Sequence, residues 1–168
     1  MPSTDEEWKA TAELFHERCN FVNCLGAMDG KHVVVQAPMN SGSYYFNYRG
    51  ILSIVLLAVV DADYEFTYVD VGCNGRVSDG GVFKNSTLSD ALESNKLHTS
   101  ECQLPGTDTL TPYASVADDA FPLRTYIPKP YNQKGLTKGR RIFNYRLSRA
   151  LVGKRFQGFH ETNSSGTK

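Results

Sequence analysis

Near the start of the chain the apolar residues Trp8, Ala12 and Phe15 recur at helical spacing. Ser3 and Thr4 each stand three positions before a glutamate, Glu6 and Glu7, which is the reciprocal arrangement of a capping box. Together these predict an amphipathic helix running to about Arg18. From Phe21 the pattern changes to alternation and short apolar runs, at 21–37, 51–60 and 66–71, which predict three strands. The polar stretch Asp61 to Tyr64 is short enough to be a tight turn, so the second and third strands should pair as an antiparallel hairpin.

Beyond the glycine-rich stretch VGCNGRVSDGG, the apolar positions Val82, Phe83, Leu88, Ala91 and Leu92 predict one helix over 82–93. Residues 95–113 read as loop. The run Ala114 to Ala117 then reads as a buried strand that delivers two aspartates, Asp118 and Asp119, to its end. Three prolines and two glycines over 122–139 predict a long connection. A basic helix is expected from Arg141 to about Val152, with Phe143, Leu147 and Leu151 on one face and Arg146 and Arg149 on another. The terminal NSSGTK has a disordered composition, and no internal repeat is visible.

A chain of 168 residues with 40% hydrophobic and 21% charged positions has the material for one folded domain. The formal net charge is zero, yet its distribution is lopsided. Residues 1–119 hold seven basic and 17 acidic residues, whereas 120–168 hold eleven basic residues and the single acid Glu161. An acidic body with a basic tail fits a polyanionic partner, although a solvated surface accounts for the tail equally well. The four cysteines at 19, 24, 73 and 102 lack the spacing of a zinc site and read as free, at least partly buried thiols. No secretory signal opens the chain. The longest apolar run, Ile51 to Val60, is far short of the ~20 residues of a membrane helix, so a soluble intracellular protein is expected.

The acids fall in a recurring arrangement on this map. Asp29 lies inside the first strand, Asp79 just after the third, and Asp118 and Asp119 at the end of the fourth. Each alone is accounted for as a residue capping backbone N–H groups. Jointly they point to bound divalent cations, because ionised carboxylates in partly buried sites need a counterion or a metal. Asp29 is the most telling, since GAMDGKHVVV offers it no turn.

Four segments, GAMDGKHV, VDVGCNGRVSDGGVF, VADDAFPLRTYIPKPY and FNYRLSRA, resemble in order and spacing the nuclease domain of Harbinger-type (PIF/Harbinger) DDE transposases and their domesticated relatives, over about residues 2–160. The resemblance implies an α/β, ribonuclease H-like fold, a mixed sheet with flanking helices that is incomplete at its C-terminal end. Residues 1–20 would be an N-terminal helix leading into the nuclease domain, 21–160 the DDE endonuclease domain, and 161–168 a disordered tail. It further implies hydrolysis and transfer of phosphodiester bonds with a divalent cation, Mg2+ or Mn2+. By position Asp29 matches the first catalytic aspartate and Asp118 the second, with Asp79 as a further metal ligand. Implied partners are DNA and a Myb-like protein, with no membrane involved, and the implied location is the nucleus, with the cytoplasm as a second compartment. Arg140, Arg141, Arg146 and Arg149 are the candidate contacts to DNA phosphates.

The chain departs from the family pattern in one place. The SRA-like run of the family leads into a helix whose glutamate is the third metal ligand, whereas this chain continues SRALVGKRFQGFH with no acid between Asp119 and Glu161. About ten residues look removed between Ala150 and Leu151. The family's N-terminal helix-turn-helix region is also absent, so the chain reads as a partial transposase copy or a fragmentary gene model. Two functions therefore compete: a metal-dependent DNA endonuclease impaired by loss of its third acid, and a nuclease-dead remnant that binds DNA or protein.

Other residues read more plainly. His32 follows Asp29 by three positions, which on a strand places it on the opposite face, as a packed or hydrogen-bonded side chain. Tyr44, Tyr45, Phe46 and Tyr48 offer base-stacking surface, but so close to a buried strand they are expected to pack in the core. Asp61 and Asp63 form a D-x-D pair of the kind used by haloacid dehalogenase-type phosphatases. The threonine that motif requires is replaced by Glu65, and a hairpin turn accounts for the pair.

Overall fold

The computed structural model describes residues 2, 4–36, 38–94, 101–104 and 106–152. The chain opens with α1 (Asp5–Cys19). Thr4 is extended, and its hydroxyl accepts from the Glu7 N–H at 3.2 Å. Three acids in the first turn and His16 and Arg18 in the last complement the helix dipole. At the other end Asn20 takes the left-handed conformation, φ 54°, and its N–H donates back to the His16 carbonyl at 2.9 Å. Trp8, Ala12 and Phe15 are the buried stripe, as their spacing predicts.

Strands β1 (Cys24–Val34), β2 (Ser53–Val60) and β3 (Phe66–Asn74) form an antiparallel meander, and β6 (Ala114–Val116) adds to β1 in parallel. The sheet order is β3-β2-β1-β6, so β1 is central and its neighbour across the parallel edge comes from far along the chain. The β2–β3 hairpin closes as expected. Asp61 Oδ1 accepts from the Asp63 and Glu65 N–H groups at 2.8 and 3.0 Å, and Tyr64 supplies the positive φ of 68°. Asp63 pairs with Arg18 of α1. The D-x-D pair is thus an Asx turn tied to α1.

Three expectations are corrected. The helix expected over 82–93 is two helices, α2 (Asp79–Lys84) and α3 (Thr87–Glu93). Ser86 breaks it: its hydroxyl donates to the Phe83 carbonyl at 2.7 Å and accepts from the Ser89 N–H at 3.2 Å, ending one helix and capping the next. Within the stretch read as loop, β4 (Cys102–Gln103) pairs with β5 (Leu110–Thr111), anchored where Asn23 donates to Thr111 Oγ1 at 2.6 Å. The aromatic turn is not core: Tyr44, Phe46 and Tyr48 are exposed, because β1 ends at Val34 and the chain to Leu52 runs through successive turns. The last helix, α4 (Lys138–Val152), begins three residues earlier than its apolar pattern.

The two larger of three buried clusters lie on the two faces of the sheet. On one, Met28, Val55, Leu57 and Val59 meet Val82, Phe83 and Leu88 of α2 and α3, together with Phe121 and Ile127. On the other, Ala27 and Val116 meet Phe15 of α1 and Leu147 and Ala150 of α4. This is the mixed sheet with flanking helices that the family resemblance implies. The four cysteines are free thiols, with Cys24 buried and the others partly so. Among the described residues no helix is long and apolar enough to cross a membrane. The expected C-terminal tail, 161–168, lies outside the described residues.

Candidate active site

Asp29 and Asp118 lie just beyond the stretch where β1 and β6 run side by side. The last parallel pair is Ala27 with Val116, and each acid follows its member of that pair by two positions. β6 ends at Val116 because Asp118 turns the chain, its Oδ1 accepting from the Ala120 N–H at 2.9 Å.

Asp79 arrives from the opposite direction, as the first residue of α2. Ser78 is the N-cap, its hydroxyl accepting from the Gly81 N–H at 3.3 Å. This start sets the Asp79 carboxylate directly over Gly30 of β1, so closely that a Cβ on Gly30 would overlap it. One carboxylate oxygen, Oδ1, is buried and has no hydrogen-bond partner. Burial raises the Asp79 pKa above its ordinary value, the Asp118 carboxylate raises it further, and His32 opposes both.

Strand alternation sorts the rest. Met28, Gly30 and His32 face the α2–α3 layer, where His32 Nδ1 lies 3.0 Å from Ser53 Oγ. Ala27 faces the α1–α4 layer, and alternation gives Asp29 that same face. The structure therefore sets the Asp79 carboxyl within reach of the Asp118 charge, and gives Asp29 the face of β1 opposite the Gly30 seat of Asp79. It does not assemble a preformed cage: among the described residues no group of three or more His, Cys, Asp or Glu is arranged to hold a metal ion. The donor chemistry nonetheless suits a hard divalent cation, since Asp79 carries a buried carboxylate oxygen without a hydrogen-bond partner within reach of the Asp118 charge.

The four arginines of α4 are dispersed. Arg140 lies over the Tyr131 ring at 4.8 Å, and Arg149 Nη2 donates to the Arg18 carbonyl at 2.8 Å. Arg146 is half-buried beside Phe143 and Ile142 at a cleft of about 480 Å³, and Arg141 is exposed. None of these contacts reaches Asp79 or Asp118. Two features escaped the sequence reading. One is that Gly30 seats Asp79, for which a glycine next to an aspartate in mid-strand was the available signal. The other is that His32, two positions along the same face, moderates the charge of Asp79.

The chain is 32% identical over 152 residues to "Protein ALP1-like" of Arabidopsis thaliana, covering 89% of this chain and 36% of that protein. It is 26% and 25% identical over 130 residues to the proteins named "Putative nuclease HARBI1" of Xenopus laevis and Homo sapiens, covering 77% of this chain and 34% of each. The chain thus spans about a third of the length of the curated relatives it matches. No solved structure matches it significantly. The family model described as DDE superfamily endonuclease matches residues 28–158, which contain all three aspartates, α2 and α4, and the chain belongs to that family.

Proposed function

We propose that this chain is a divalent-cation-dependent DNA endonuclease domain of transposase origin, with Asp29, Asp79 and Asp118 as its cation-holding set. The observation that carries the reading is Asp79: a buried carboxylate oxygen without a partner, beside a second carboxylate, on a backbone seat only glycine provides. A fold tolerates such an arrangement when something positive completes it. A divalent ion there would activate water and neutralise charge on the cleaved phosphodiester. Asp118, whose charge already acts on Asp79, and Asp29, two positions beyond the last β1–β6 pair, would complete the donor set. Mg2+ and Mn2+ suit the all-oxygen donors. DNA as substrate, a Myb-like partner and a nuclear location belong to the same proposal.

Cleavage by the chain as it stands should be weak. Between Asp119 and Glu161 the sequence has no acid, and α4 carries only basic and neutral residues, so the glutamate of the family pattern has no counterpart there. A plasmid-nicking assay tests the proposal, run on this chain beside a version with a glutamate-bearing helical segment inserted after Ala150. The expected result is slow Mg2+- or Mn2+-dependent nicking that the insertion accelerates and Asp29→Ala abolishes. Robust nicking by both versions would refute the impairment. Its absence from both, with DNA still bound, would favour the nuclease-dead remnant.

A further inference from the structure

Beside the acids lies a cleft of about 310 Å³ whose rim carries Lys84, Arg124 and Lys129. Its floor is Phe83 and Phe121, whose rings meet edge to face at 6.0 Å. Lys84 belongs to α2, which begins at Asp79, and Arg124 and Lys129 follow the Asp118 turn. The cleft is joined to the acids by backbone: Gly80, next to Asp79, packs so tightly on the Ala120 carbonyl that a Cβ would stand 2.6 Å from it. Lys129 is fixed in place, its Nζ donating to the Asp119 carbonyl at 2.7 Å, which leaves two further N–H donors. Glu93 and Asp119 also line the cleft, so three cations against two carboxylates leave it an excess of positive charge.

We infer that this cleft is a phosphodiester subsite, in which Lys84, Arg124 and Lys129 hold a backbone phosphate of the DNA strand adjacent to the one that reaches Asp118 and Asp79. This rests on the endonuclease reading and names where its substrate is gripped. A cation-rimmed concavity one residue away from an acidic pair separates the two charge requirements of the substrate. The cations hold a flanking phosphate electrostatically, while the acids stay available for a metal. It also moves the DNA path off α4, whose arginines are spread between Tyr131, the Arg18 carbonyl and the cleft beside Phe143. Two of the three cations, Lys84 and Arg124, are exposed, and their removal leaves the core untouched.

The test is DNA binding in EDTA, which removes any metal contribution, read by fluorescence anisotropy across a salt series. The Lys84→Ala/Arg124→Ala double variant should bind an oligonucleotide about tenfold more weakly than wild type, with its salt slope reduced by about two contacts. The Arg140→Ala/Arg141→Ala double, equal in charge removed, should lose less than about threefold. Lys129→Met should weaken binding further in either double, since the cleft and α4 are separate sites. Equal losses in the two doubles, no loss in the cleft double, or no DNA binding by wild type at low salt would each overturn the subsite. A Mn2+ titration of the same variants reads the acids separately. Normal Mn2+ binding with no cleft effect sinks the subsite alone, whereas lost Mn2+ binding in wild type sinks the endonuclease reading.

Discussion

The carboxylate of Asp79 rests on the backbone of Gly30, in space that any other residue at position 30 would fill with its Cβ. The contact joins the first turn of α2 to the middle of the central strand and fixes the position of an acid that sequence alone leaves in a glycine-rich loop. Gly30 is thus the seat of a charged side chain.

A Gly30→Ala substitution should accordingly act on the site more than on the fold. The added methyl must displace Asp79 or shift β1, an overpacking cost of about 1–3 kcal/mol. Mn2+ affinity should fall by about tenfold, as when a supporting contact of a metal ligand is lost. Thermal unfolding and Mn2+ titration of the same sample check this. Unchanged Mn2+ affinity would show that Asp79 is not held by this seat.

Removing the buried charge should have opposite effects on stability and on cation binding. Asp79→Asn takes a carboxylate away from a desolvated position beside Asp118, so the metal-free variant should melt higher than wild type at neutral pH, by a few degrees for each ~1 kcal/mol relieved. In Mn2+ the order should reverse, because only the wild type gains binding energy. Differential scanning calorimetry with EDTA and with Mn2+ measures both. A variant that melts lower in EDTA would mean that Asp79 is satisfied in the metal-free fold.

Core packing next to the acids sets the largest stability effect. Phe121 is 1% exposed and packs edge to face on Phe83, three residues after Asp118. Phe121→Ala should cost about 3–5 kcal/mol, against about 0.5–2 kcal/mol for loss of the Thr4 cap in Thr4→Ala. Urea denaturation distinguishes them, and similar values for the two would contradict the assignment of Phe121 to the core.

Tyr113 contributes to alkaline stability. Tyr113 is 8% exposed, and burial, aided by a hydrogen bond with and charge on Cys102 and by Asp5 and Glu13, pushes its phenol up to about 12. The folded pKa is raised, so its contribution is fully present below the ordinary phenol value of about 10 and is lost as pH rises through about 12. Wild type should therefore lose stability between about pH 10 and 12, and Tyr113→Phe should lose less over that window. Urea midpoints at stepped pH test it, and parallel curves would exclude Tyr113.

The sequence was most legible where local chemistry and periodicity agree. The Thr4 cap, the Trp8–Ala12–Phe15 stripe and the Asp61 turn each act within a few residues, and each is found where it was expected. Period failed at Ser86, whose side chain competes for backbone groups and splits one apolar stripe into two helices. It failed again at Tyr44 and Tyr48, where hydrophobic character stood in for burial that the turns do not supply. The acids and their convergence on one cation site were readable as an expectation, but the backbone that sets each of them was not. The setting of Asp118 depends on a parallel register between strands some 90 residues apart, and that of Asp79 on the angle at which α2 leaves Ser78. The cleft of Lys84 and Lys129 is likewise invisible to a reading that sums charge along the tail.

The central claim is that Asp29, Asp79 and Asp118 together hold a divalent cation, and Mn2+ binding followed by electron paramagnetic resonance tests it most directly. Four single variants, Asp29→Asn, Asp79→Asn, Asp118→Asn and Asp119→Asn, are titrated beside wild type, each with its fold checked by circular dichroism. The first three should each weaken Mn2+ binding by about tenfold or more, while Asp119→Asn stays within about twofold of wild type. Equal loss in all four, or binding that survives Asp79→Asn and Asp118→Asn together, would contradict it.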